Sequence, residues 1–181
     1  MRYAHWWACY PTEPAYANAW PQILHDSLRI ITRAVASGIN ICGPHGHCAP
    51  VIDRYTGIRL GGDAAHGRHR QPLLLPPPPR HPCPSPDGTA LAVTGSVDTA
   101  RHPYDSVAAA ILLRTHYLLG HHHFAIRSDG DWKSEWAHGA RTGYLPARTL
   151  VTDLFGPMPD ISPLTWPPQP HQPSEGNPTH A

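Results

Sequence analysis

The sequence predicts an α+β fold: a small antiparallel or mixed sheet with three to four helices over it, followed by a disordered proline-rich C-terminal tail. Three observations predict it. Apolar residues recur at intervals of three and four in three segments, as on the buried face of a helix. Short β-branched or leucine-rich runs bounded by Gly, Pro and Asp lie between those segments. Many of the 23 prolines gather at 76–79 and after 157, where no packed element is expected.

The first helix is expected from Pro21 to Ser37, on the spacing of Ile23, Leu24, Leu28, Ile31 and Val35, with Gly38 as its stop. Pro50–Arg54 and Gly57–Leu60 flank Tyr55-Thr56 and read as a β-hairpin, and Leu73–Leu75 as one more short strand. The prolines 76–79 cannot donate ladder hydrogen bonds and predict polyproline II. A strand restarts near Leu91 and Val93 and extends toward Val97. A second helix is expected from Pro103 to Leu119, with Asp105 in its first turn and Gly120 at its end. Phe124 to Ser128 alternates as a strand, Ser128-Asp129-Gly130-Asp131 is a turn, and Trp132 and Trp136 are spaced for one helical face. A last helix runs from Pro146 to Phe155. With 181 residues and no internal repeat, one domain is expected over 1–156, with an exposed Pro-rich loop at 76–88 and the tail at 157–181.

Fourteen basic and thirteen acidic residues balance to +1 with His neutral, so no overall field draws the chain to nucleic acid or to an anionic membrane. Lys133 is the single lysine, and the abundance of Arg, Ala, Pro and Gly reads as GC-rich coding. No apolar run is long enough to span a bilayer, and the N-terminal stretch lacks the apolar core of a secretory signal. The expected location is cytoplasmic. The four cysteines are then reduced thiols or metal ligands rather than a disulfide framework.

From Gly57 to Gly156 the chain carries Gly62-Asp63-Ala64-Ala65, then Thr99-Ala100-Arg101-His102-Pro103-Tyr104-Asp105 leading into an apolar helix, then Ser128-Asp129-Gly130 followed by Trp132 and Trp136. In these motifs it resembles uncharacterised small proteins of actinobacteria and their phages. It departs from them at Asp98, where a Lys or similar residue often stands. The resemblance implies a shared small α+β fold and a phage or mobile-element origin; it implies no catalytic residue and no known function.

The densest chemical cluster is Cys42-Gly43-Pro44-His45-Gly46-His47-Cys48. Zinc takes Cys and His ligands, four in a tetrahedron and commonly as two separated pairs, so the partners of Cys42, His45, His47 and Cys48 would be His66 and His69, or His81 and Cys83. No familiar finger spacing is present, and with 15 histidines a solvated loop is the competing reading. His121-His122-His123 reads as surface. A metal-dependent hydrolase would draw on Asp53, Asp63, Asp98, Asp129 and Asp131, with His66 as base, although Asp129 and Asp131 are explained as turn residues. Ser96, Ser106 and Ser128 lack the Gly-x-Ser-x-Gly elbow, and no phosphate-binding glycine motif occurs. The start of the second helix is a candidate anion site that Asp105 itself already fills.

The reading is therefore of a non-enzymatic accessory or interaction protein of phage or mobile-element type, binding a protein partner through a face at Arg101, Tyr104, Asp105, Asp129, Trp132 and Trp136. The alternatives are a small zinc-binding metalloprotein and a metal-dependent hydrolase.

Overall fold

A computed structural model describes residues 2–81, 90–139 and 145–164. The fold is α+β, with two small antiparallel sheets of three strands each rather than one. The first has the order β5-β1-β6, formed by Val93–Asp98, Ala4–Cys9 and Phe124–Ser128. The second is β2-β3-β4, formed by Val51–Asp53, Gly57–Leu60 and Leu73–Leu75. Among the described residues four helices, α1 (Pro14–Ala36), α2 (Asp105–Leu119), α3 (Glu135–His138) and α4 (Ala147–Phe155), pack with the sheets around a shared hydrophobic cluster.

The centre of the first sheet is β1, which pairs along its whole length with β5 and also with β6. Its inward residues His5, Trp7 and Cys9 stand opposite Val97, Gly95 and Val93 on one side, and His5 and Trp7 stand opposite Ser128 and Ile126 on the other. Gly95 is required by this register, because a Cβ there would lie 2.2 Å from the Trp7 ring. Burial pushes the Cys9 thiol up to about 12, which keeps it protonated and inert.

α1 begins seven residues before its expected start, and Pro21 lies inside it. Pro14 takes the N-terminal position where a missing N–H costs nothing. Tyr16 and Trp20, stacked with centroids 5.6 Å apart, extend the buried face that Ile23, Ser27, Ile30 and Ala34 continue. α2 is buried on nearly every side, against α1, α4 and β6, and Ala108-Ala109-Ala110 keep its circumference small enough for that. Only Trp136 of the tryptophan pair is helical; Trp132 sits in the preceding turn, with the rings 5.9 Å apart.

Two boundaries move. Pro76, Pro77 and Pro78 are half-buried rather than exposed, and Pro76 O accepts a 2.7 Å hydrogen bond from the Tyr16 hydroxyl. The chain also stays packed beyond 156: Met158 and Leu164 lie against the core, and Asp160 O accepts from Trp132 Nε1 at 3.3 Å. The rest of the expected Pro-rich loop and of the expected tail, at 82–88 and 165–181, falls outside the described residues.

Gly57 opens β3 at φ 91°, and a Cβ there would meet Leu75 O at 2.2 Å. Gly57→Ala should therefore cost more than about 1 kcal/mol, since both the backbone region and the space exclude a side chain. Urea midpoints measure this, and an unchanged midpoint would mean that the β3–β4 contact yields freely.

Candidate functional site

The strongest concentration of buried polar groups lies where the end of β6 and the start of α2 meet the first residues of β1. His5 on β1 is wholly buried. Its Nε2–H donates to Asp105 Oδ1 at 2.9 Å, and its Nδ1 accepts from the Ser128 hydroxyl at 2.8 Å. A carboxylate only accepts, so the proton accounting places the ring hydrogen on Nε2. Thr99 also donates its hydroxyl to Asp105 Oδ1. Tyr3 and Trp136 set their rings edge-on to His5, at 5.4 and 5.3 Å.

Serine, histidine and aspartate stand here at the distances of a nucleophilic triad, with the serine oxygen already engaged on all sides. Ser128 Oγ accepts from Gly130 N–H at 2.8 Å and from Trp136 Nε1–H at 3.1 Å while donating to His5. Both lone pairs are therefore engaged, and a nucleophile needs one of them directed at a substrate. The buried indole of Trp136 closes that side.

The connection from β5 to α2 is strained. Ala100 and Arg101 take φ 48° and 60°, a left-handed region that residues other than glycine seldom occupy. Asp98 Oδ1 accepts from Ala100 N at 3.1 Å and from Tyr3 N at 3.2 Å, tying this turn to β1. Arg101 then reaches Glu135, with Nε at 3.1 Å and Nη2 at 2.8 Å from Oε1, and lies 4.1 Å from the Tyr3 ring centroid. The Glu135 bonds hold the Arg101 guanidinium still further above its ordinary range.

A cleft opens beside this network, walled by Tyr3, His5, Asp105, Ser106, Glu135 and Trp136, with the small residues Ala109, Gly139 and Ala147 leaving the space. Two carboxylates and two aromatic rings thus line one hollow. Asp105 Oδ2 makes no hydrogen bond among the described residues, although Oδ1 receives two. Burial, and next the Asp105 carboxylate, push the Tyr3 phenol up, so it stays protonated.

Comparison with protein-family models, with curated proteins and with solved structures finds no match for the chain.

Of the face expected from the sequence, Asp105 and Trp136 line the cleft and Arg101 stands at its edge. Tyr104 and Trp132 do not line the cleft and lie in the core, with Tyr104 OH donating to Gln71 O at 2.9 Å. Asp129 is exposed, and it exchanges two 3.0 Å bonds with Ala4 that fix the β1–β6 register. Tyr3, His5, Ser128 and Glu135 complete the site. No local pattern marks Tyr3, His5 and Glu135 as a site, because His5 meets Ser128 and Asp105 at sequence separations of 123 and 100.

The Cys/His candidates sit elsewhere. The 42–48 loop packs on 61–69 through the Cys42–Gly61 bridge and an Ala64 N to Gly46 O bond of 3.0 Å. His45, His47 and Cys48 are exposed there, while His66 Nδ1 contacts Asp63 Oδ2 at 2.5 Å. The bonds from His66 and Asn40 hold Asp63 below the usual carboxylate range. Among the described residues no three Cys, His, Asp or Glu side chains are grouped to hold a metal ion; Cys83 lies outside them. No helix among them is long and apolar enough to cross a membrane.

Proposed function

We propose that the chain is a non-enzymatic interaction protein whose protein partner sets the tip of a cationic side chain, guanidinium or ammonium, against Asp105 at the mouth of the cleft at the start of α2, the cleft itself having room for about one water molecule. The observation that carries this reading is Asp105: it is nearly buried, lines the cleft beside Glu135, and keeps one carboxylate oxygen without a hydrogen bond among the described residues. A carboxylate in that position gains most from a charged donor. Full engagement of Ser128 Oγ supports binding over acyl transfer. An accessory role of phage or mobile-element type rests on the sequence resemblance alone.

The test is a nuclear magnetic resonance titration with a short arginine peptide and its citrulline counterpart, which keeps the shape and lacks the charge. Saturable shifts at the Trp136 indole N–H and the Ala109 amide, given by arginine and not by citrulline, are expected. Equal responses to both peptides, or none, would remove the reading.

A further inference from the structure

The 42–48 loop holds two thiols on a short closed circuit. Gly43 N donates to His47 O at 3.0 Å and to Cys48 O at 3.1 Å. With standard bond lengths, the second of these leaves the α-carbons of Cys42 and Cys48 at most about 8 Å apart. A disulfide spans roughly 4.4–6.8 Å between α-carbons, so the pair needs only a small approach.

The two ends are unequally held. Cys42 exchanges two 2.9 Å backbone bonds with Gly61, which anchors it to the start of the 61–69 segment. Cys48 is exposed, and its backbone sits in the left-handed region at φ 57°, which residues other than glycine seldom occupy. Cys9, buried on the inward face of β1, is out of reach of this loop's chemistry.

We propose that Cys42 and Cys48 are a modification site, a dithiol that a small disulfide such as oxidised glutathione converts into an intrachain bridge. The Cys48 thiolate attacks one sulfur of glutathione disulfide, breaking its S–S bond and releasing one glutathione, which takes up a proton. Cys42 sulfur then attacks the Cys48 sulfur of the mixed disulfide and expels the second glutathione. The chain loses two thiol hydrogens and is oxidised; glutathione disulfide is reduced to two glutathiones. The product ties the exposed end of the loop to its anchored end. This site is separate from the cleft and stands whether or not the cleft binds a cation.

The test uses the full chain, incubated with oxidised glutathione, alkylated and weighed. Expected are a chain carrying two fewer alkyl groups than the reduced, alkylated control and a digest fragment linking Cys42 to Cys48 that is two hydrogens lighter than the two reduced peptides together. Cys42→Ser should stop at the first step, with one glutathione held on Cys48. Alkylation of both thiols after oxidation, stable glutathione on Cys48 in the unaltered chain, or a bridge to Cys83 would each overturn the proposal.

Discussion

Replacing Arg114 with alanine is expected to lower the unfolding free energy by about 3–5 kcal/mol, among the largest effects of any single change in this chain. Asp26 lies at the α1–α2 contact with its side chain completely buried. Arg114 Nε meets its Oδ2 at 2.7 Å, while Gln22 Nε2 donates to Oδ1 at 2.8 Å. Removing the guanidinium leaves a buried carboxylate with only neutral donors and an exposed histidine beside it. The loss includes packing, because Arg114 also lies 4.3 Å from the Phe155 ring centroid and so joins α2 to the end of α4. Urea titration reads the change. Arg114→Met with Asp26→Asn should recover much of it, since no unpaired charge then remains. A loss below about 1 kcal/mol for the alanine variant would show that Asp26 does not depend on this pair.

Ser128→Ala should cost about 2–5 kcal/mol, although it deletes a single oxygen. The change leaves Gly130 N–H and the Trp136 indole N–H without their acceptor and His5 Nδ1 without its donor. Each buried polar group stranded in this way costs about 1–3 kcal/mol. The same serine should resist a fluorophosphonate in the folded protein, since neither lone pair is presented outward. Rapid labelling of Ser128 would show an open nucleophile and would end the non-enzymatic reading.

These two sites show which parts of the molecule local sequence carries. The hairpin at 51–60, the strand Leu73–Leu75, the strand Phe124–Ser128 and the helices α2 and α4 were legible to within two residues, because each has its own periodicity and its own Gly or Pro punctuation. α1 was legible only in its aliphatic part: Tyr16 and Trp20 continue its buried stripe, but Pro21 read as a start and not as an interior residue. β1 gave no strand signal. Its Ala4-His5-Trp6-Trp7-Ala8-Cys9 run lacks polar alternation because most of it is buried between two partner strands.

The candidate site divides in the same way. Asp105 at the helix start and the Ser128-Asp129-Gly130 turn were visible as chemistry on local grounds, and the motif containing Arg101 drew attention to its turn. Their meaning came from β1, which carries Tyr3 and His5 into the space between them. Composition and spacing determined by themselves an α+β chain of near-neutral charge, most of its helices and short strands, and the residues that end them. The tertiary structure alone decided that His5, Asp105 and Ser128 form one connected network, that Tyr104 and Trp132 are core, and that the Cys/His loop faces solvent. The reason is physical: helix and strand preferences act over a few residues, whereas a buried proton donor finds its acceptor only after distant strands have paired.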